Sequence, residues 1–287
     1  MMNTILLNRL GLSVLAITFC LGDFPFEEKN ELRKTLQFPD PAAAKRLELD
    51  NLNGAIEVQG YAGRDVQLIV YQTFLGRSKE KIQEAREKVT LEISQEKNTI
   101  RLYVDAPYRQ RDGSMNYRGE RYYGYNANFD FVLKVPHDTG ISLKTVNDGD
   151  IEVKGVHGDY EIENINGGID MSEAAGSGRV YALNGEVKVL FQKNPDGPSY
   201  FGSLNGDVEL TFVSSLAATF RLKTFNGEVY TDFPVTYVAS AQPIREQRRG
   251  KSIYKYDRDF GVQVGKGGPE IELDAFNGDI HIMKREK

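Results

Sequence analysis

An Asn-Gly step leading into an alternating strand recurs along this chain, and that repetition constrains the fold more than any other feature. It occurs at Asn53-Gly54, Asn166-Gly167, Asn184-Gly185, Asn205-Gly206, Asn226-Gly227 and Asn277-Gly278, each time behind an apolar residue. A variant, Asn147-Asp148-Gly149, opens the densest stretch, where Gly149, Gly158, Gly167, Gly176 and Gly185 keep a nine-residue beat. Self-similarity at a fixed period is the mark of a repeat architecture. Asn and Gly both tolerate positive φ, so each pair reads as a structural turn.

Between the turns, Ile151/Val153, Tyr160/Ile162, Ile169/Met171 and Val187/Val189 fall on one face, while Asp150, Glu152, Glu161 and Lys188 fall on the other. Two nine-residue strand-turn units make an 18-residue coil, and stacked coils bury an apolar face that one coil cannot bury alone. The fold class expected is all-β, a β-solenoid with one short surface helix. The residues before the turns, Leu52, Val146, Ile165, Leu183, Leu204, Phe225 and Phe276, are expected to form a single internal ladder. An antiparallel meander or sandwich is the alternative, because Asn-Gly between alternating apolar residues is also a hairpin signal. Hairpins do not explain why Asn-Gly marks only alternate turns, with Val156-His157-Gly158 between two of them.

The chain has 287 residues and a formal net charge of −5, which argues against a dedicated nucleic-acid binder. Residues 1–22 read as a signal peptide, with Arg9 before an apolar run at residues 10–21 that is short for a membrane span. Cleavage after Gly22 is expected, and lipidation at Cys20 is the rival reading. Export to the periplasm, outer envelope or extracellular space follows, with no transmembrane helix left after cleavage. Cys20 is the only cysteine, so the exported part holds no disulfide. Residues 23–35 read as a flexible leader, 36–136 as an N-terminal β region, and 137–287 as the repeat region with a basic insertion at 239–259.

Within the N-terminal region, Leu47, Leu49, Ile56, Val58, Val66, Leu68 and Val70 alternate as half-buried strands. Ser78 can cap a helix that carries Ile82, Ala85 and Val89 at helical spacing. Residues 107–128 break the pattern, and a loop of that length is uncommon without a function. Arg109, Arg111, Tyr117, Arg118, Arg121, Tyr122 and Tyr123 fall there, while Arg245, Arg248 and Arg249 repeat the basic composition in the second insertion. Arginine and tyrosine together supply planar donors and rigid aromatic area, so these ten residues are the candidate binding set, suited to an anionic glycan or a protein.

The run Leu47-Glu-Leu-Asp-Asn-Leu-Asn-Gly-Ala-Ile-Glu-Val-Gln-Gly60, the strand Phe131-Val-Leu-Lys-Val-Pro136 and the repeats after it resemble the bacterial putative-adhesin domains of unknown function. The resemblance runs from about Leu36 to Ile282 and implies a β-helical exported protein. It assigns no role to the Tyr/Arg insertions.

Signals for chemistry are few. No acidic ligand recurs at a fixed second position, so the repeats do not supply the six to eight oxygens calcium takes. His137, His157 and His281 are scattered and lack zinc-ligand spacing. No metal, cofactor or catalytic residue is assigned. The acids Asp150, Glu152, Glu161, Glu163, Asp170, Glu186, Asp207 and Glu209 read as a soluble outer face; the alternative is a carbohydrate-active enzyme using two of them as a catalytic pair. The reading carried forward is an exported, non-enzymatic β-repeat scaffold, an adhesion-like binding module for an envelope or extracellular partner.

Overall fold

The computed structural model describes residues 17–19, 24–109, 123–238, 244–248, 251–255 and 260–286. The first half of the chain gives β1 (Ile17–Phe19), β2 (Phe26–Gln37), β3 (Arg46–Asp50), β4 (Ile56–Tyr61), β5 (Asp65–Gly76), α1 (Lys79–Lys88), β6 (Thr90–Glu96), β7 (Thr99–Asp105) and β8 (Tyr125–Pro136). The dense repeats give β9 (Gly140–Thr145), β10 (Ile151–Lys154), β11 (Tyr160–Asn166), β12 (Ile169–Ala174), β13 (Gly178–Asn184), β14 (Val187–Phe191), β15 (Ser199–Asn205) and β16 (Val208–Phe212). The remainder gives β17 (Ala218–Asn226), β18 (Val229–Thr231), β19 (Val235–Val238), β20 (Ile244–Arg248), β21 (Lys251–Lys255), β22 (Phe260–Val264), β23 (Glu270–Asn277) and β24 (Ile280–Lys284).

The described residues are all-β with one helix, built on two large mixed sheets, neither of them closed. The first runs β1-β2-β5-β8-β4-β10-β12-β14-β16-β24-β18 and the second β19-β22-β17-β23-β15-β13-β11-β9-β3-β7-β6. Strands flanking each Asn-Gly step belong to different sheets, so the chain changes sheet at the step. In the dense region the pairing is parallel and shifted by one coil: Ile151 lies beside Ile169, and Ile169 beside Val187, each 18 residues on. Antiparallel strands stand at the ends, where β2, β5 and β8 pair in sequence, β6 pairs β7, and β22 pairs both β17 and β19. Alternate residues of both sheets fill the space between them. Phe191 of the first sheet meets Phe201 of the second edge-on at 5.9 Å between ring centroids, and Phe212 meets Phe220 at 5.7 Å.

The internal ladder does not fall where the sequence pattern placed it. Leu52 and Val146 are buried, but Ile165, Leu183 and Leu204 are only half-buried, and Phe225 and Phe276 are 53% and 42% exposed, stacked on each other at 4.9 Å. The reason is strand parity, since side chains alternate faces with period two. With Ile162, Val180 and Phe201 pointing inward, the next inward residue is two before the asparagine: Thr145, Asn164, Ala182, Ser203 and Ala275 occupy that row and are buried. These residues are small or polar because they sit in the corner beside backbone. Thr145 Oγ1 donates to the Gly54 carbonyl at 2.9 Å, Ser203 Oγ to that of Gly185 at 2.8 Å, and Asn164 Nδ2 to those of Gly149 and Gly168, both at 3.0 Å.

The asparagines do more than turn the chain. Each side-chain amide donates to the amide oxygen of the next coil, Asn226 to Asn277, Asn277 to Asn205, Asn205 to Asn184, Asn184 to Asn166 and Asn166 to Asn147, all at 2.7–2.8 Å. The series continues from Asn147 to Asn53 and from Asn53 to Asn126, both at 3.1 Å. Positive φ is not the reason for the glycines either: of these steps only Gly54 has it, at 117°. A Cβ on Gly185 would fall on the Gly167 carbonyl, and one on Gly278 on the Gly206 carbonyl, so glycine is what lets the corners stack. Left-handed backbone appears at the opposite corners, at Gly155 and Gly176.

Residues 23–35, expected to be a flexible leader, instead contribute most of β2, which pairs with β5 along its whole length. Phe26, Leu32 and Leu36 pack against the core from it, with Glu28, Asn30 and Lys34 at the other inward positions, which hides the alternation in the sequence. The helix forms as expected. Ser78 accepts from the Lys81 amide at 3.3 Å, and Ile82 and Ala85 are buried.

Candidate functional site

The registers of the second sheet set its outward side chains into rows that run across the strands. One row reads Glu48, Ser142, Glu161, Arg179, Tyr200, Glu272 and Arg221, each beside the next on a neighbouring strand. Over much of that row lies a recess of about 810 Å³, bounded by Arg46 at one end and Glu270 and Glu272 at the other. Small residues form its middle, among them Ser177, Gly178, Gly197 and Ser199.

Arg179 and Tyr200 give the recess its chemistry. The Arg179 guanidinium lies over the Tyr200 ring, 4.0 Å from the centroid, with the Tyr181 ring 5.5 Å away on its own strand. Attraction between a cation and a ring face holds such a pair. Gly202 lets the Tyr200 ring lie back along its strand, because a Cβ there would meet the ring within 3.0 Å. Burial pushes the Tyr200 phenol up to about 12, the Asp274 carboxylate adds to the rise, and Arg179 opposes it. Tyr160 borders the recess from beneath, 3% exposed with its ring turned inward against Phe201, and its hydroxyl makes no hydrogen bond among the described residues. Burial raises this phenol too; the Ser199 hydroxyl beside it acts in the opposite sense without reaching hydrogen-bonding geometry.

The carboxylates on the wall are Asp159, Glu161, Asp196, Glu270 and Glu272. Four of them are engaged: Glu161 with Arg46 at 3.4 Å, Asp196 with Lys193 at 2.9 Å, Glu270 with Arg221 at 3.7 Å, and Asp159 as acceptor from the Ser177 amide at 3.4 Å. Glu272 holds no ion pair among the described residues.

Of the acids in the sequence pattern, Asp150, Glu161, Glu163, Glu186, Asp207 and Glu209 are held by neighbours, whereas Glu152 and Asp170 lie side by side on the first sheet next to Glu57 and line a recess of about 450 Å³. Lys144 meets Glu163, and Lys188 bridges Glu186 and Glu209. Asp150 and Asp207 accept from the Gly168 and Asp279 amides of the adjacent coils at 2.7 and 2.8 Å, fastening one corner to the next. His137 and His157 stack at 4.9 Å, and His281 stacks on Tyr230 at 5.0 Å. No group of three His, Cys, Asp or Glu side chains able to hold a metal occurs among the described residues.

Of the ten Tyr/Arg candidates, Arg109 is half-buried, with its side chain only 2% exposed. It pairs with Asp50, donates to the Val104 carbonyl at 2.8 Å and covers the Tyr103 ring at 4.1 Å, so it fastens the loop to the sheet. Tyr123 is half-buried between the rings of Tyr108 and Tyr125. Arg245 and Arg248 lie on β20, paired with β21 in a two-stranded ribbon. Arg111, Tyr117, Arg118, Arg121, Tyr122 and Arg249 lie outside the described residues. Arg179, Tyr200 and Glu272 were missed by the sequence pattern. The signal available was their outward parity beside inward Val180, Phe201 and Leu273, but which strands neighbour one another had to be known first.

No family model matches the chain, and no curated protein matches it. Among solved structures it is similar to a putative cell adhesion protein from Clostridium sporogenes, at 13% identity and a TM-score of 0.44, over 90% of this chain and 100% of that one. It is also similar to a putative adhesin from Bacteroides fragilis, at 11% identity and a TM-score of 0.38, over 89% and 97%. A third likeness is to a putative lipid binding protein from Parabacteroides distasonis, at 10% identity and a TM-score of 0.28, over 90% and 97%. At these values no role transfers from one chain to another.

Proposed function

We propose that the chain is an exported, non-enzymatic β-solenoid that serves as a rigid scaffold and binds an envelope or extracellular partner on the outer face of its second sheet. The observation that carries this reading is the recess at Arg179 and Tyr200. It combines a guanidinium–aromatic platform with mixed polar walls, the make-up of a recognition surface. The 18-residue shift between parallel neighbours in the dense region supports the solenoid, since it recurs in both sheets, Ile151 beside Ile169 in the first and Glu161 beside Arg179 in the second. Export rests on Arg9 and the apolar run behind it. No helix among the described residues is long and apolar enough to cross a membrane. In the recess at Arg179 and Tyr200, four of the five carboxylates are tied to lysine, arginine or a backbone amide, which favours a binding face there over a catalytic pair.

The test is capture of envelope material by the purified full chain, beside a variant with Arg179→Ala and Tyr200→Ala together. Capture that disappears in the variant while its thermal melt is retained supports the reading. Equal capture by both proteins would remove binding from this face.

A further inference from the structure

Resting on the binding face just described, we infer that the recess takes an extended glycan free of acidic groups, and prefers one that carries amines. Its span comes from the strand order. Glu161 on β11 and Glu272 on β23 are separated by β13 and β15, with the Arg46 guanidinium reaching over to Glu161, and three steps of about 4.8 Å give roughly 14 Å. The recess therefore runs across the strands, with a floor of small residues between Arg46 and Glu272, which fits a short linear oligosaccharide lying along the coil axis.

The chemistry of the walls selects among glycans. Sugar hydroxyls donate as well as accept. Carboxylates are acceptors only, serines do both, and the guanidiniums donate. Arg179 and Tyr200 offer a flat polarised surface of the kind a ring C–H face rests on. Charge then decides between classes. Five carboxylates face four cations, Arg46 and Arg179 in the lining and Lys193 and Arg221 paired to Asp196 and Glu270, which leaves the recess one charge negative, and Glu272 holds no ion pair among the described residues. The excess disfavours an anionic polysaccharide, and an ammonium group on a sugar would find Glu272 within the recess. This preference is opposite in sign to the anionic partner expected from the Tyr/Arg insertions, so the two surfaces are separable by experiment.

Binding of three probes to the full chain by titration calorimetry tests the inference: a neutral cello-oligosaccharide, a deacetylated chito-oligosaccharide and an oligogalacturonate. The amine-bearing probe is expected to bind tightest, the neutral probe more weakly, and the galacturonate not at all. Raising the salt should weaken the amine-bearing probe and leave the neutral one unchanged, because only the first depends on screened charge. Glu272→Gln, a near-isosteric change on the open face, should weaken the amine-bearing probe about two- to fivefold and spare the neutral probe, the range of a partly exposed charged contact. Tyr200→Ala should weaken both, with folding checked by its melt. Galacturonate binding as tight as the amine-bearing probe, or binding of either favoured probe unchanged in both variants, overturns the inference. Should none of the oligosaccharides bind while envelope capture still depends on Arg179 and Tyr200, the glycan class falls and the binding face stands.

Discussion

Asn184→Ala is the sharpest probe of what the repeated asparagine does. Asn184 is exposed, so a turn-only role predicts a loss of a few tenths of a kcal/mol, the usual scale for surface changes. The ladder predicts more. Alanine removes the bond from Asn184 to Asn166 and the bond from Asn205 to Asn184, both 2.8 Å. At about 0.5–1.5 kcal/mol net for each hydrogen bond, the cost is about 1–3 kcal/mol, toward the lower end because water can reach the site. Asn226 stands at the end of the series and gives one bond, to Asn277 at 2.7 Å, so Asn226→Ala should cost about half as much. Urea unfolding with a shared m-value measures both, and a double-mutant cycle on Asn184 and Asn205 isolates the pair. Asn184→Asp adds a pH signature. Its carboxylate can accept from Asn205 but faces the Asn166 oxygen, which disfavours the charged form and raises the folded-state pKa. Relative to wild type, that variant should be most stable below the unfolded value of about 3.9 and lose stability as pH rises through the raised folded value. Equal losses at Asn184 and Asn226, with no coupling in the cycle, would refute the ladder.

Three further outcomes follow from the same geometry. Gly185→Ala should cost about 1–3 kcal/mol by overpacking, because the atom it meets is a backbone carbonyl, whereas Gly140→Ala, with its nearest atoms at 3.4 and 3.5 Å, should be near neutral in the same melt. Phe201→Ala, at a fully buried core position, should cost about 3–5 kcal/mol, while Leu183→Ala should fall below the 2 kcal/mol that opens the usual range for a core leucine; a larger loss at Leu183 would restore the internal ladder first drawn from the sequence. Burial acts to raise the Glu48 carboxyl, but hydrogen bonds from Arg101 and Arg46 outweigh it and hold it below the usual range. The stability Glu48 contributes is therefore present above the unfolded value of about 4.3 and lost as pH falls through the folded one, so the difference between wild type and Glu48→Gln should close on acidification.

Much of the secondary structure was legible because alternation and capping are local. Ile56/Val58, Val66 to Val70 and the Ser78-capped helix need no knowledge of distant residues. The row of inward corner residues was not, because Leu183 is apolar and Ala182 is not conspicuous. Hydrophobicity alone assigns the larger residue to the core, whereas the strand's period, counted from buried Val180, assigns the smaller. The β2 strand was hidden for the related reason that charged Glu28 and Lys34 occupy inward positions, Glu28 meeting Arg86 of the helix at 2.9 Å. Composition pointed to the Tyr/Arg loops as a binding set, yet Arg109 is held inside by Asp50, a partner 59 residues away. Arg179 and Tyr200 become a site only when β13 lies beside β15.

Neighbour order along the sheets is where local reading ends. By sequence the coil at Asn277 follows the coil at Asn226, but in space β23 lies between β15 and β17, and β24 between β16 and β18. The opposite end is interleaved in the same way, with β3 between β7 and β9 and β4 between β8 and β10. Inward positions supply the physical reason. A coil flanked on both sides must be apolar at both inward positions of its first-sheet strand. Ile280 and Ile282 of β24 satisfy that, as do Ile56 and Val58 of β4, and all four are buried. The matching positions of β18 are Val229 and Thr231, half-buried and exposed. Thr231 in an interior coil would place a hydroxyl between Leu210 and the core with no acceptor in view, a cost that the outermost place avoids. The chain therefore carries its weaker coil to the edge and returns its last, more apolar coil to the inside.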